Sequence, residues 1–247
     1  LLVQTLLLKI YFMRIKFFYV LVIIIIGLQD VKSQITTDRP EQTESSSALD
    51  IGQIQIETGI SLEDYQSNIN SLFRFGLIKG IELRLNANYL INDEISNLKK
   101  SSFTDFEVGA KFNVLKNESN TSVGLLTHLS IPTAPEIFSN NEYGILTRLL
   151  VSHDLQNDSQ IGYNLGLNKF KSSNNEFVYT FVYSRSLSSF GVFFEIFGND
   201  SKQTSSLNFD SGITYLFDKN KQLDLSVGKG INNSMFFVSF GYSININ

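Results

Sequence analysis

Apolar and polar residues alternate along most of the chain from about residue 50 onwards, and this period of two constrains the fold more than any other feature. In the segment 81–91, for example, Ile81 and Leu83 lie on one face of an extended chain, whereas Glu82 and Arg84 lie on the other. Successive side chains of a β-strand point to opposite faces of a sheet. The pattern therefore predicts amphipathic strands and an all-β fold.

Twelve segments of this kind can be delimited, and most have about the ten residues that a tilted strand needs to cross a membrane. They lie near 53–65, 69–77, 81–91, 103–115, 121–131, 143–154, 160–170, 176–187, 190–198, 207–217, 222–228 and 235–245. An even number is typical of single-chain bacterial barrels, because both ends of the barrel then lie on the same side of the membrane.

The links between these segments alternate in length. Those after even-numbered strands are short, whereas several after odd-numbered strands are longer, among them 92–102 and 132–142. Short periplasmic turns and longer external loops are typical of outer-membrane barrels. We therefore expect residues 51–247 to form a transmembrane antiparallel up-and-down β-barrel of about 12 strands. A soluble lipocalin-like barrel or a β-sandwich is the alternative, with the apolar face buried instead.

The N-terminal residues have the features of an export signal. Met13 is followed by Arg14 and Lys16, then by an apolar run over 17–28 and by Ser33, next to which cleavage is expected. The run is short for a spanning helix, which needs about 20 residues. We expect residues 1–33 to be upstream residues plus a signal peptide, and the mature protein to reach the bacterial outer membrane. An uncleaved anchor is the alternative.

Composition excludes several kinds of site. The chain has no cysteine, which rules out disulfides, zinc–thiolate centres and thiol nucleophiles. The net charge of −4 gives no support to nucleic-acid binding. The two histidines and the scattered carboxylates lack the spacing of metal ligands. We expect no cofactor and no bound metal.

The polar face of the predicted strands carries charges of both signs. The lumen-lining candidates are Arg74, Glu82, Arg84, Asp105, Glu107, Lys111, Arg148, Glu195, Asp210 and Asp224, together with Glu57. Such residues could select which solutes pass, or could merely pair across neighbouring strands and hold a narrow lumen together. Twelve strands lie between packed eight-stranded barrels and open porins, so both hypotheses stay open.

Residues 34–50 are polar and precede the first strand. They could enter the barrel as a plug, with Arg39 pairing a lumenal carboxylate, or form a disordered periplasmic leader. His128 and Ser130 would share the lumen face two residues apart. A base and a nucleophile are the elements of an acyl-transfer site, but this spacing recurs by chance in a serine-rich sheet.

The start of the mature chain carries the most specific motif, Asp38-Arg39-Pro40-Glu41-Gln42-Thr43-Glu44. With the segments 55–59, 106–112, 210–215 and 222–228, it resembles a bacterial family of outer-membrane transporters labelled "MetA-pathway of phenol degradation", common in Bacteroidetes-type genomes. The resemblance covers nearly the whole mature chain. Two departures are Ser46, where members often have proline, and an end that lacks the usual terminal aromatic residue.

The resemblance implies an outer-membrane barrel that takes up small molecules, with hydrophobic or aromatic compounds among the candidates. The expected partners are outer-membrane lipid, the barrel-assembly machinery during biogenesis and an unidentified small solute. The leading hypothesis is a channel rather than an enzyme. A non-conducting structural barrel is the second hypothesis, and a barrel-embedded hydrolase that uses His128 is the third.

Overall fold

The computed structural model describes residues 35–92, 100–116, 120–172 and 175–246, so the predicted signal peptide lies outside the described residues. Nearly all of this part is β-sheet, with one short 3-10 helix at Glu136–Phe138. The strands are β1 (Ile54–Glu63), β2 (Gln66–Ile78), β3 (Ile81–Asn92), β4 (Lys100–Phe103), β5 (Phe106–Lys116), β6 (Thr121–Ile131), β7 (Gly144–Asp154), β8 (Ser159–Phe170), β9 (Glu176–Leu187), β10 (Phe190–Asp200), β11 (Ser205–Asp218), β12 (Lys221–Gly230) and β13 (Phe236–Ile246). In the described ranges, no helix has the length and apolar character to span a membrane.

The strands form one closed antiparallel sheet. Apart from β4, each strand pairs with its neighbours in chain order, and β1 pairs with both β2 and β13. The short β4 pairs with the end of β3, while β5 pairs with the beginning of β3, so β4 and β5 together occupy one strand position. The barrel therefore has twelve strand positions, and the predicted fold is confirmed. Closure leaves no sheet edge unpaired at membrane depth.

Two local features differ from the sequence-based prediction. The hairpin between β1 and β2 turns at 64–65, so β2 begins three residues earlier than predicted. The predicted strand 103–115 is interrupted at 104–105. At this interruption the Asp105 carboxylate accepts hydrogen bonds from the loop 132–143, a tertiary contact that alternation cannot reveal.

The two ends of the barrel differ as predicted. At the end where β1 begins and β13 finishes, the links are short, as at 79–80, 155–158, 188–189 and 219–220. The opposite end carries the longer loop 132–143, although the 64–65 hairpin there is short. We call the first end periplasmic and the second external, after the usual orientation of such barrels.

The outer surface is apolar and the interior is polar. Phe194 and Phe240 expose 56% and 52% of their surface, whereas Gln55 and Glu57 inside the barrel expose 0%. A soluble barrel would place the apolar face inside, so that alternative is wrong for this chain. The apolar outer surface can contact lipid, whereas the buried polar groups need hydrogen-bond partners within the lumen.

Candidate functional site

The segment 35–49 lies inside the barrel and contacts several walls of the lumen. Thr43 Oγ1 lies 2.6 Å from Thr180 Oγ1 on β9, and Ser46 Oγ lies 2.5 Å from Ser152 Oγ on β7. The backbone N–H of Leu49 then donates to Glu82 Oε2 on β3 at 2.9 Å. The segment thus crosses the lumen from one wall to another before it enters β1. We call residues 35–49 the lumen segment.

Asp38 is the most heavily bonded residue of the lumen segment. Its carboxylate lies 2.8 Å from Arg84 Nη1, 2.9 Å from Lys111 Nζ and 3.5 Å from Arg74 Nη1. The backbone N–H of Ser45 also donates to it, at 2.7 Å. Burial would raise the pKa of Asp38, but the charges of Arg74, Lys111 and Arg84 outweigh that effect and hold its pKa well below the usual range.

A second layer of ion pairs fixes the wall beneath Asp38. Arg74 on β2 donates to Glu57 on β1 at 2.8 Å and to Glu82 on β3 at 2.7 Å, and all three side chains are buried. Glu57 Oε2 also accepts the backbone N–H groups of Asp38 and Arg39, at 2.9 and 3.0 Å. The same carboxylate therefore serves both the barrel wall and the lumen segment.

Arg39 extends towards β12 and β13. Its Nη2 lies 3.2 Å from Asp224 Oδ1 and donates to Ser239 Oγ at 2.8 Å. Gly59 and Gly241 make room for the guanidinium group, since a Cβ atom at these positions would lie 2.3 and 2.5 Å from it. The absence of side chains at this paired position lets Arg39 lie against the wall.

The next residues of the lumen segment bind a wall that carries acidic groups. The backbone N–H of Gln42 donates to Glu195 Oε2 at 2.7 Å, and Thr43 Oγ1 contacts Glu195 Oε1 at 2.5 Å. Asp210 lies directly opposite Glu195 in the β10–β11 register and is 0% exposed. Neither carboxylate oxygen of Asp210 has a hydrogen-bond donor among the described residues.

Glu41 adds a third carboxyl group near this wall. Burial raises the pKa of Glu41 to about 8, and the charges of Glu195, Asp224 and Asp38 act in the same direction. Within the described part of the chain, no salt bridge reaches Glu41, Glu195 or Asp210. The lumen segment is thus attached to β1, β2, β3 and β5 through cations and carboxylates together, and to β10 through the carboxyl group of Glu195.

Two cavities lie on opposite sides of the lumen segment. A cavity of about 940 Å³ opens among the periplasmic turns 154–160 and 184–188. A smaller one of about 260 Å³ lies towards the external end, between Ser61, Asn88 and Phe237. Glu41 and Glu44 line both cavities, so the lumen segment forms the partition between them.

Side-chain amides dominate one wall of the smaller, external cavity. Asn70 on β2 donates 2.8 Å hydrogen bonds to Asn86 and to Asn88 on β3, and Asn68 lies next to Asn88. The alternation of β2 and β3 places these residues on the lumen face, but the predicted lining candidates are all charged. The structure adds a neutral polar patch that charge alone did not indicate.

Most of the predicted lumen-lining residues are buried inside the barrel, whereas Glu107 and Arg148 are partly exposed. The buried ones are Arg74, Glu82, Arg84, Asp105, Lys111, Glu195, Asp210 and Asp224. Asp105 has a different set of partners, because it accepts hydrogen bonds from Thr133, Ala134, Ser139 and Asn140 of the loop 132–143. It anchors this loop instead of pairing with a basic residue.

In the described structure, no nucleophile is hydrogen-bonded to His128. Its Nδ1 lies 3.1 Å from Glu107, and its Nε2 has no hydrogen-bond partner among the described residues. Ser130 is buried nearby on β6, yet no hydrogen bond joins it to His128 in the described ranges. Nor do those ranges contain a group of three or more acidic or histidine side chains that could hold a metal ion. The hydrolase hypothesis therefore has no nucleophile–base pair to support it.

Solved structures with a similar fold are outer-membrane barrels. The KdgM porin, solved in complex with disordered oligogalacturonate, aligns with a TM-score of 0.62 at 12% identity, over 78% of this chain and 99% of that chain. An outer membrane channel from Pseudomonas putida F1 aligns with a TM-score of 0.60 at 12% identity, over 81% and 98%. The NanC porin aligns with a TM-score of 0.59 at 12% identity, over 77% and 98%. These likenesses establish the barrel fold.

A search of curated proteins gives no match. A family model does match, and it covers residues 37–246, from the start of the Asp38-Arg39-Pro40 motif to the last strand. The matched region includes most of the lumen segment as well as all of the barrel. The chain therefore belongs to the protein family described as "Putative MetA-pathway of phenol degradation".

Proposed function

We propose that the protein is an outer-membrane channel for small polar solutes, and that the lumen segment acts as a plug that closes it. The observation that carries this proposal is the partition of the lumen into two cavities that share Glu41 and Glu44. A structural barrel has no need for water-sized space on both sides of a partition. A gated channel requires both.

The walls that the plug separates differ in charge. Arg74, Arg84 and Lys111 lie on β2, β3 and β5, and in this structure they surround Asp38 of the plug. The lumen-facing charges of the described β10–β12 residues, Glu195, Asp210 and Asp224, are all acidic. Removal of the plug would leave cations facing carboxylates across a water-filled lumen, an arrangement that sets which solutes pass.

This lining favours polar solutes over hydrocarbons. A hydrocarbon in the lumen would displace water from the charged groups and from the amide side chains of Asn70, Asn86 and Asn88. It would offer these groups no hydrogen bonds in return, which costs free energy. A solute with hydroxyl, amide or carboxylate groups would replace those bonds. The hydrophobic or aromatic solute that the family resemblance implies stays a prediction.

A reversible cross-link tests the plug directly. The chain has no cysteine, and the hydroxyl oxygens of Ser46 on the plug and Ser152 on β7 lie 2.5 Å apart. Replacing both by cysteine, as Ser46→Cys with Ser152→Cys, places two thiols within the geometry of a disulfide. In planar bilayers we expect the oxidised protein to remain closed and reductant to restore ion currents. The single variant Ser46→Cys is the control and should not respond to reductant.

Two outcomes would contradict the proposal. If the oxidised and reduced forms conduct equally, the plug is not the gate. If neither form conducts ions or releases small sugars from vesicles, the protein is a non-conducting structural barrel. Heat-modifiable migration in gels shows in each case that the barrel is folded.

A further inference from the structure

Among the contacts that hold the plug, two groups differ in the charge of the wall that they meet. On β2, β3 and β5 the Asp38 carboxylate is neutralised by cations. On β10 and β11 the plug meets Glu195 and Asp210, and no described cation lies within salt-bridge distance of either. The negative charges of Glu195 and Asp210 must be compensated in another way, because buried like charges repel each other strongly.

Asp210 is buried without a hydrogen-bond donor among the described residues. Its side chain is 0% exposed, and neither of its carboxylate oxygens has a donor in the described structure. Glu195 faces it across the β10–β11 pair and accepts the N–H of Gln42 and the hydroxyl of Thr43. Residues paired directly across an antiparallel sheet place their side chains about 5 Å apart on the same face. A proton on one carboxyl group would supply the missing donor between them.

The other elements around this pair leave it without a countercharge. β9 contributes the neutral Thr180, and β12 contributes Asp224, which is bound to Arg39. The plug contributes a third carboxyl group, that of Glu41, which is adjacent to Gln42 and therefore close to the Glu195 carboxylate that the Gln42 N–H binds. Glu195, Asp224 and Asp38 all act on Glu41 as like charges. Each neighbouring element therefore adds a neutral group, an acid or a cation already engaged elsewhere.

We propose that Glu41, Glu195 and Asp210 form a proton-binding site that is complete only when the plug is seated, so that a rise in pH releases the plug. This inference rests on the proposed gating by the plug. When the plug leaves, Glu41 moves into water, and water enters around Glu195 and Asp210. This relief of burial favours the ionised carboxyl groups and outweighs the loss of the two donors from Gln42 and Thr43, which favour the charged form of Glu195. The carboxyl groups then hold protons less tightly.

The direction of the pH effect follows from linkage. The seated state binds more protons than the released state, so acid favours the closed channel and alkali favours the open one. For each proton bound on seating, the ratio of open to closed channels rises by up to about tenfold per pH unit within the titration range. Asp38, whose pKa is held well below that range by the neighbouring cations, stays ionised and contributes the same attachment of the plug throughout.

Single-channel recording of the full-length protein from pH 5 to pH 9 tests the site. We expect the open probability of the wild type to rise as pH rises. Asp210→Asn supplies an amide donor in place of the proton, and Glu41→Gln removes the charge of the plug carboxyl group. The double variant should stay closed at alkaline pH, with less than about a twofold change in open probability across the range.

Asp224→Asn is the matched control, because it removes a carboxylate of the same wall that pairs with Arg39. It should raise the open probability and, because it also removes a like charge near Glu41, move the transition to lower pH while keeping the slope.

The outcomes separate this inference from the proposed function. Currents that respond to the Ser46–Ser152 disulfide but not to pH would refute the proton site and leave the plug gate standing. Opening on acidification would also refute it. Absence of any current, with or without reductant, would refute the channel itself. A double variant that retains the wild-type slope would show that other groups carry the titration.

Discussion

The Asp38 carboxylate lies 2.8 Å from Nη1 of Arg84, although 46 residues separate the two in the sequence. Lys111 and Arg74 complete the cationic surroundings of the same carboxylate. A peptide segment that lacks secondary structure is thereby held at one place in the lumen. The next residue of the motif, Arg39, pairs with Asp224 on β12, so two adjacent residues of the segment bind groups of opposite charge on different strands.

Asp38→Asn should release the plug. Removal of one member of a buried charge cluster leaves its partners uncompensated, at a cost of about 3–5 kcal/mol. Because the cations regain water when the plug leaves, the closed-to-open ratio should fall more than about a hundredfold. Bilayer recording measures this ratio. Asp50→Asn, at the exposed residue that directly follows the lumen segment, is the control and should behave as the wild type. An Asp38→Asn protein that remains closed would show that the cationic contacts do not hold the plug.

Arg74→Met should weaken the barrel itself. Arg74 joins β1 to β3 through Glu57 and Glu82, and its loss leaves two buried carboxylates without their cation. We expect a loss of about 3–5 kcal/mol in the free energy of unfolding. The temperature at which the folded gel form disappears should fall clearly below that of the wild type. Arg185→Met, at an exposed position on β9, should leave that temperature unchanged. An equal effect of the two substitutions would contradict a special role for Arg74.

Asp105→Ala should free the external loop 132–143 from the barrel rim. The carboxylate accepts three backbone N–H groups and the hydroxyl of Ser139, all between 2.9 and 3.1 Å. Without it, chymotrypsin added to intact cells should cut after Phe138 several times faster, while the barrel stays folded. Asp200→Ala, an exposed carboxylate at the same end, provides the comparison. Unchanged cleavage would mean that other contacts hold the loop.

Phe194→Arg should impair insertion into lipid. Phe194 lies midway along β10 on the apolar outer face. Arginine at the membrane midplane of a barrel costs about 2–4 kcal/mol. Refolding into phospholipid vesicles, followed by the heat-modifiable gel shift, should give a lower folded fraction than the wild type. Phe194→Leu keeps an apolar surface and should fold normally. If the arginine variant folds as well as the leucine variant, this face does not contact lipid.

The sequence by itself determined the barrel. The period of two placed Phe194 outside and Glu195 inside, and the alternating link lengths indicated which end carries the longer loops. These features are local, since the pleat of a strand fixes the side on which each residue lies. Even the charged lumen candidates followed from this rule, because Arg74 and Glu82 sit on predictable faces of their strands.

Only the tertiary structure decided how the interior is organised. The sequence left residues 34–50 open between a plug and a leader, because their contacts with Glu195, Ser152 and Glu82 join positions far apart along the chain. It treated Asp105 as one more lumenal charge, although its partners lie in a loop. Closure of the sheet brings β10 and β11 opposite the cationic wall, and that three-dimensional arrangement leaves Asp210 without a donor. Alternation determines the face of the sheet on which a residue lies. Its interaction partners depend on which strands of the closed barrel surround the lumen segment.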